Sequence, residues 1–222
     1  MTETATNQLP FSGYRVVELG TRISSGYCGR LLCDYGADVS LIETVDGNEL
    51  RHCIPPKHES GQAKSGLFGY LHAGKTSVLV DRVDPDTVQA LLSDADIFLY
   101  GAPNIPHQTE RELFKLLSQS HESLIAVHLS PYGLSGPYSE LTGCELTANA
   151  LSGITQRIGA PDREPLTLPL AQAAYQAGYA AACGAACALI ARMDSVQGQV
   201  VEVSETEAIA TVHAGYSVTR YQ

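Results

Sequence analysis

The sequence has few positive charges and no local cluster of them. Lysine and arginine number 14 against 24 aspartates and glutamates, which gives a formal net charge of −10. A protein that binds nucleic acid usually presents a basic surface, so this composition argues against a nucleic-acid partner. The hydrophobic fraction of 44% and the charged fraction of 17% are typical of a globular chain and exclude a disordered one.

Several patterns that bind metals or carry nucleophiles are also missing. The seven histidines show no H-E-x-x-H spacing, and neither G-x-S-x-G nor G-x-G-x-x-G occurs. The six cysteines form no C-x-x-C pair, which argues against a zinc ribbon or a thioredoxin-like site. We therefore expect no metal site and interpret the cysteines as small buried residues of a reducing cytoplasm. They are Cys28, Cys33, Cys53, Cys144, Cys183 and Cys187.

No stretch of the chain predicts a secreted or membrane-spanning protein. Residues 1–8 are polar and predict a flexible tail without the apolar core of a signal peptide. The segment from Leu170 to Ala191 lacks charge, but it is mostly alanine and glycine and includes Gln172 and Gln176. This weakly apolar stretch predicts a buried helix whose small residues allow close packing. We expect residues 9–222 to form one cytoplasmic domain with no membrane partner.

Strand and helix signals alternate along the chain and predict an α/β fold. Short apolar runs without polar alternation predict buried strands: Arg15–Leu19, Val39–Glu43, Ser77–Val80, Ile97–Tyr100, Leu124–Leu129 and Gln199–Ser204. Helices are predicted between and after them, at Ser24–Tyr35, Asp84–Ser93, Thr109–Leu117, Glu145–Ile158, Leu170–Arg192 and from Glu205 onward. This order predicts a Rossmann-like, largely parallel sheet with helices on both faces. Residues 46–65 are predicted to form a long polar loop.

The turn after the first predicted strand, Gly20 to Gly26, is a candidate anion site. A glycine-containing turn that enters a helix points backbone amides at a ligand. Glu43 ends the next strand, where dinucleotide-binding folds often place an acid for a ribose. Because G-x-G-x-x-G is absent, an NAD-dependent oxidoreductase ranks last among the hypotheses. An ordinary strand-to-helix turn is the alternative.

Two later segments are candidates for ligand contacts. Lys75 follows Gly74 just before a predicted strand, so its ammonium could pair with a phosphate; a solvated surface lysine is the alternative. Residues 130–138 (SPYGLSGPY) follow another strand and would place Tyr132 at the edge where open α/β sheets bind ligands. A structural double turn is the alternative there.

Five segments, taken in order, resemble one known family. They are LPFSGYRVVELGTRISSGYCGRLLCDYGADVSLIE (9–43), GKTSVLVD (74–81), LIAVHLSPYGLSGPYSELTG (124–143), ANALSGITQRIGAPD (148–162) and GQVVEVSETEA (198–208). Together they resemble the family III CoA-transferases of the CaiB–BaiF type, which include the 2-methylacyl-CoA racemases. The resemblance implies a Rossmann-like large domain that binds coenzyme A or an acyl-CoA, in a homo- or hetero-oligomer with a CoA-transferase-like chain.

The resemblance also implies that the chain is shortened. Family members usually run to about twice this length, beyond the size of a single typical domain. The small domain and the returning C-terminal segment that follow in the family have no counterpart in this sequence. We therefore expect a split subunit, a relic, a fragment or a module that needs a partner.

This sequence departs most from the family at the positions of the family's catalytic residues. Its transferases carry an acyl-accepting aspartate four residues before the glycine that corresponds to Gly178, which places Ala174 at that position. An alanine methyl group cannot form the acyl intermediate. Its racemases use a histidine in a G-H-D segment, which reads Gly143-Cys144-Glu145 here. Cys144 and Glu145 are therefore the tentative catalytic residues, because a thiol or a carboxyl group can also move a proton.

The ligand-binding side of the resemblance is better preserved. The turn formed by Thr21, Arg22, Ile23 and Ser24 corresponds to the family's loop along CoA, and Lys75 corresponds to a lysine near its nucleotide end. Tyr132 corresponds to an aromatic residue near the acyl group. The family's Glu-Asn-Phe-x-Pro-Gly turn departs from the pattern, since residues 100–104 read YGAPN.

Three functional hypotheses follow from these residues. The first is an acyl-CoA-binding protein without acyl transfer of its own that acts with a catalytic partner chain. The second is an enzyme with altered acid–base residues that moves a proton at the α-carbon of an acyl-CoA. The third is a non-catalytic assembly domain that retains only the fold.

Overall fold

The structure is a computed structural model that describes residues 9–53, 65–101 and 107–212, apart from the side chains of residues 107 and 108. The predicted tail at residues 1–8 and most of the YGAPN segment lie outside the described residues. So does the part of the predicted polar loop from 54 to 64.

Six strands form one parallel sheet in the order β3-β2-β1-β4-β5-β6. Strand β1 therefore pairs with β2 along one edge and with β4 along the other, and Val16 lies opposite both Val39 and Ile97. This arrangement confirms the predicted Rossmann-like fold class. The strands are β1 (Arg15–Gly20), β2 (Asp38–Glu43), β3 (Thr76–Leu79), β4 (Ile97–Gly101), β5 (Ile125–Ser130) and β6 (Val200–Ser204).

Seven α-helices in the described ranges connect or flank the strands. They are α1 (Ile23–Asp34), α2 (Gly66–Leu71), α3 (Pro85–Leu92), α4 (His107–Ser120), α5 (Glu145–Leu151), α6 (Gln172–Ser195) and α7 (Glu205–Thr211). Helices α1, α6 and α7 contribute to the apolar cluster on one face of the sheet, and α3 and α4 to the cluster on the other. Buried strands between two helical layers explain why the strand sequences are apolar throughout.

Several elements differ from the sequence prediction, and three of the differences have local reasons. Helix α5 ends at Leu151 rather than Ile158, because Gly153 has a φ of +81° and turns the chain into a short 3-10 helix, Ile154–Arg157. Arg22, not Ser24 or Ser25, is the N-cap residue of α1. Helix α2 was not predicted, although Ser65 caps it by accepting a hydrogen bond from the Phe68 amide.

Helix α6 buries only one of its faces. Eight small or apolar residues face the core, and they are Ala173, Ala174, Ala177, Gly178, Ala181, Ala185, Ala188 and Leu189. A Cβ at Gly178 would lie 2.6 Å from the Ser24 carbonyl oxygen, so a glycine is needed where α6 approaches α1. By length and composition α6 could also cross a membrane, and less than half of its most apolar window is buried.

We predict that Gly178→Ala lowers the free energy of unfolding by about 2 kcal/mol, because the added methyl group forces α1 and α6 apart. The control is Gly69→Ala in α2, where nothing lies within 4 Å of the added Cβ. Denaturant titration monitored by circular dichroism measures both. A Gly178→Ala variant as stable as the control would show that the α1–α6 contact is looser than described.

Candidate functional site

Strand β1 pairs with β2 on one side and with β4 on the other, and in open α/β sheets ligands bind at the carboxyl ends of the strands at such a position. Gly20 has a φ of +144°, and a Cβ there would overlap the Gly101 carbonyl group. That carbonyl oxygen accepts hydrogen bonds from the backbone amides of Thr21 and Arg22, each at 3.1 Å. The turn after β1 is therefore held against the end of β4, and these two amides are not available to an anion.

A cavity of about 220 Å³ opens beside this turn, at the carboxyl ends of β1, β2 and β4. Its walls are formed by Leu19, Gly20, Thr21, Ile42, Glu43, Thr44, Gly47, Asn48, Val83 and Tyr100. The hydroxyl groups of Thr21 and Tyr100 are buried and have no hydrogen-bond partner within the described chain. Buried polar groups normally have a partner, so these two hydroxyl groups are candidates for ligand contacts.

Glu43 forms the acidic wall of the cavity, but its carboxylate is fully engaged. Arg51 donates two hydrogen bonds to it at 2.7 Å, the Asn48 amide donates one at 2.8 Å, and the Ser77 hydroxyl donates another. These donors, Arg51 first, lower the pKa of Glu43 to about 2. The role of Glu43 as a ribose-binding acid therefore has no support in this geometry.

Asn48 connects the ends of two strands and was not recognised from the sequence. Its side-chain amide donates to the Gly20 carbonyl oxygen at 2.8 Å, and its side-chain oxygen accepts from the Leu50 amide. It is also the N-cap of the short 3-10 helix Glu49–His52, which replaces the start of the predicted polar loop. The D-G-N sequence signals a turn but not this cross-strand contact.

Two of the predicted CoA-binding residues, Arg22 and Ser24, contact the residue that follows β6 and do not face the open crevice. Arg22 donates two hydrogen bonds to Glu205, at 2.9 and 2.6 Å, and the Ser24 hydroxyl donates a third at 2.6 Å. Glu205, the first residue of α7, is only 2% exposed. A bidentate buried pair of this kind fixes the turn after β1 but leaves the Arg22 guanidinium committed.

Lys75 lies beneath α1, and the alternative of a solvated surface lysine is wrong. Its side chain is 1% exposed, and the ammonium contacts Glu18 Oε2 at 2.6 Å, the Gly26 carbonyl oxygen at 2.8 Å and His72 Nδ1 at 3.1 Å. These contacts use all three donors of the ammonium. A CoA contact through Lys75 stays a prediction that requires this cluster to rearrange.

The two other members of this cluster are adapted to burial. Burial raises the pKa of Glu18, and the Lys75 ammonium partly offsets that effect. Burial and then Lys75 lower the pKa of His72 to about 3, so its ring is neutral at pH 7 and Nδ1 can accept from the ammonium. Gly29 completes the cluster, because a Cβ at that position would overlap the Glu18 carboxylate.

Tyr132 and Cys144 are brought together by Thr147, which sequence reasoning did not single out. The Tyr132 hydroxyl donates to Thr147 Oγ1 at 2.8 Å, and the Cys144 amide donates to the same oxygen at 2.9 Å. Cys144 is exposed at the start of α5. Hydrogen bonding from the backbone amide of Thr147, and then from that of Leu146, lowers the pKa of its thiol.

Glu145 reaches the start of α6 and lies beside Ala174. Its two carboxylate oxygens accept hydrogen bonds from the Ala173 amide at 2.7 Å and the Ala174 amide at 3.3 Å. The Asn149 side-chain amide donates to the first of these oxygens at 2.8 Å. A carboxylate at this place satisfies the free N–H groups of the helix and complements its dipole.

Most of the predicted residues therefore lie around the turn after β1 and the first turns of α6. Gly178 of α6 touches the Ser24 carbonyl oxygen, so the turn after β1 and the first turns of α6 are neighbours. Glu145 and Ala174 meet at the same end of α6. Lys75 lies under α1, and its ammonium contacts the Gly26 carbonyl oxygen. In the described part of the chain, no three His, Cys, Asp or Glu side chains converge on a possible metal position.

A parallel α/β sheet with a crevice at its switch point defines a class of ligand-binding folds. Comparison with known proteins narrows the class, because the model for CoA-transferase family III matches residues 11–221. The chain belongs to this family.

Relatives and solved structures agree with that assignment. Succinate–glutarate CoA-transferase from Agrobacterium fabrum is 27% identical over 98% of this chain and 56% of its own length. A subunit of succinyl-CoA:(R)-benzylsuccinate CoA-transferase from Thauera aromatica is 30% identical over 92% of this chain and 51% of its own length. A CAIB/BAIF family protein from Brucella suis superposes with a TM-score of 0.86 at 27% identity, over 96% of this chain and 57% of that one. The chain thus spans about half the length of the curated relatives it matches.

We predict that Glu43→Gln destabilises the protein at pH 7 by about 2 kcal/mol, because an amide cannot replace the charge facing Arg51. The folded-state pKa of Glu43 is depressed to about 2. Its stabilisation is therefore complete above the unfolded-state pKa and is lost as the pH falls toward 2. Urea titrations at pH 7 and pH 3 should show the gap between the two proteins shrinking at pH 3. A gap independent of pH would contradict this assignment.

Proposed function

We propose that this chain binds CoA or an acyl-CoA at the carboxyl ends of β1, β2 and β4, does not transfer acyl groups alone, and acts with a partner chain. The observation that carries the proposal is Ala174, whose methyl group stands where the family resemblance implies an acyl-accepting aspartate. Family membership itself supports a CoA thioester as the ligand.

The cavity beside Gly20 supports the ligand-binding part of the proposal. Its volume of about 220 Å³ suits a part of CoA, such as the adenine ring or a stretch of the pantetheine arm. The buried hydroxyl groups of Thr21 and Tyr100 would each gain a partner there. Because Arg22 is committed to Glu205, none of the residues that line this cavity offers a cation to the phosphates of CoA.

The neighbourhood of Ala174 supports the absence of acyl transfer. A covalent intermediate needs a carboxylate that is free to attack a thioester carbonyl carbon. The nearest described candidate, Glu145, accepts hydrogen bonds from two backbone amides and from Asn149. A carboxylate held by these donors is a helix cap with reduced nucleophilicity, so we assign Glu145 a positioning role.

Two observations support a partner chain: the length of this chain compared with its curated relatives, and the assembly of one relative from subunits. This chain spans about half the length of its curated relatives, and the relative from Thauera aromatica is a subunit of its transferase. A complex with a longer transferase-like chain would supply the missing carboxylate. We further propose that this complex is cytoplasmic, where CoA thioesters and reduced cysteines coexist.

We predict that isothermal titration detects CoA and acetyl-CoA binding with a dissociation constant between about 10 µM and 1 mM. Thr21→Val should weaken binding about three- to tenfold, because the ligand would lose one hydrogen bond to the Thr21 hydroxyl group. Thr206→Val is the matched control, since its hydroxyl is also buried without a described partner but does not line the cavity. Absence of binding at about 1 mM would leave only the assembly-domain hypothesis.

Acyl transfer is tested on the same protein. After incubation with an acyl-CoA and hydroxylamine, intact-mass and peptide mass spectrometry should show no modified side chain. A hydroxamate on Glu145, formed when hydroxylamine cleaves an anhydride or CoA thioester of its carboxyl group, would overturn the assignment of this residue as a helix cap and would make the chain a transferase in its own right.

One observation favours a second candidate, proton transfer at the α-carbon of an acyl-CoA. The Cys144 thiol is exposed, has a lowered pKa and is linked to Tyr132 through Thr147. A thiolate in this position could remove the α-proton and return it from solvent.

If Cys144 has this role, the protein should catalyse deuterium exchange at the α-carbon of a 2-methylacyl-CoA. The rate should rise with pH through a pKa below the usual thiol value of 9.0. Cys144→Ala should slow exchange by about tenfold or more, whereas Cys53→Ala should not. Equal rates in Cys144→Ala and the unmodified protein would remove this candidate.

A further inference from the structure

A buried histidine–glutamate pair lies between β5 and the helix α4 that covers it. His128 of β5 and Glu110 of α4 are 0% and 2% exposed, and His128 Nε2 lies 3.2 Å from Glu110 Oε2. A hydrogen bond between this nitrogen and a carboxylate requires that Nε2 carry the proton. The other residues of β5 up to Leu129 are apolar. An apolar side chain would fill position 128 without burying polar atoms, so the pair calls for a role beyond packing.

The pair packs directly behind Tyr100, a wall residue of the proposed CoA cavity. Tyr100 and His128 are register partners on β4 and β5, so their side chains project from the same face of the sheet. Their rings are tilted by only 25°, with centroids 6.0 Å apart. Phe114 of α4 meets both rings edge to face, at 5.8 Å from Tyr100 and 5.1 Å from His128. The orientation of the Tyr100 ring therefore depends on how α4 and β5 hold these neighbours.

The Tyr100 hydroxyl group is prepared to donate a hydrogen bond. It is buried and has no partner within the described chain. Burial, and then the Glu110 carboxylate, raise the pKa of this hydroxyl group, so it keeps its proton at neutral pH. A buried hydroxyl group normally has a partner, and an acceptor atom of a ligand in the adjoining cavity would supply one.

We propose that Glu110 and His128 are positioning residues for ligand binding by Tyr100. The hydrogen bond to Glu110 fixes the imidazole ring of His128, and that ring holds the Tyr100 hydroxyl group where it donates to an acceptor atom of CoA or an acyl-CoA. This inference rests on the proposed CoA site. Without the carboxylate, the Nε2–H group of His128 would be buried without this acceptor, which favours a different orientation of the ring.

Four variants separate this role from a purely structural one. Glu110→Leu removes the acceptor of the hydrogen bond, whereas Glu110→Gln keeps an acceptor and removes only the charge. Tyr100→Phe removes only the hydroxyl group. Glu112→Gln is the matched control, because it removes one negative charge from an exposed position of the same helix. If Glu110→Leu does not fold, Glu110→Leu combined with His128→Leu takes its place, since replacing both polar partners leaves neither of them unpaired.

Isothermal titration of the full chain with CoA tests the effect on binding. Tyr100→Phe and Glu110→Leu should each weaken binding about three- to tenfold, and Glu110→Gln and Glu112→Gln should each change it less than about twofold. Combining Glu110→Leu with Tyr100→Phe should weaken binding no further than Tyr100→Phe alone, because the hydroxyl group that Glu110 positions is already missing. Additive losses would overturn the proposal, as would normal CoA binding by Glu110→Leu.

NMR of protein with ¹³C-labelled tyrosine rings provides a measurement that needs no ligand. The Tyr100 signals are identified by their loss in Tyr100→Phe. They should be sharp in the unmodified protein and in Glu110→Gln, and broadened by exchange in Glu110→Leu, because the ring then samples more than one orientation. Unchanged Tyr100 signals in Glu110→Leu would overturn the proposal whether or not CoA binds. Absence of CoA binding by the unmodified protein would instead overturn the proposed CoA site, and with it the ligand contact of Tyr100.

Discussion

Three buried carboxylates at and below the ligand edge of the sheet require compensation, and the surrounding structure is arranged to supply it. Glu18 is paired with Lys75, Glu43 with Arg51, and Glu205 with Arg22. An unpaired charge at any of these places would cost several kcal/mol, so each cation is held in its pair. The turn after β1, the cluster below α1 and the start of α7 all take their conformation from these pairs.

This arrangement has a direct consequence for ligand binding. Arg22 and Lys75 are the residues whose charge would suit the phosphates of CoA, and both are neutralised within the fold. What the cavity offers instead is neutral: the hydroxyl groups of Thr21 and Tyr100 and the backbone along Gly20 and Gly47. Binding through such groups depends on shape and hydrogen bonding more than on charge attraction.

Helix α6 connects the remaining features of the molecule. Its first turn places Ala174 beside Glu145, its second allows α1 to approach at Gly178, and its outer face carries the exposed side chains of Tyr179 and Ile190. Alanine at position 174 fits the first of these roles because Glu145 already occupies the space at the helix terminus. The same low charge that allows close packing on the inner face leaves the outer face without a charged side chain before Arg192.

Much of the fold could be predicted from local sequence alone. The apolar strands, the glycine after β1 and the alternation of strands with helices determine a parallel α/β sheet, because each signal acts within a few residues. The placement of Ala174 at the family's aspartate position is an implication of the sequence resemblance and stays a prediction. Three contacts could not be predicted from the sequence, because each joins residues that are far apart in the chain. They are Glu205 with Arg22, 183 positions apart, Asn48 with Gly20, 28 positions apart, and Glu145 with Ala174, 29 positions apart. Only the tertiary structure decided which charges were already paired, because pairing depends on how the strands and helices are brought together rather than on the residue types that each of them carries.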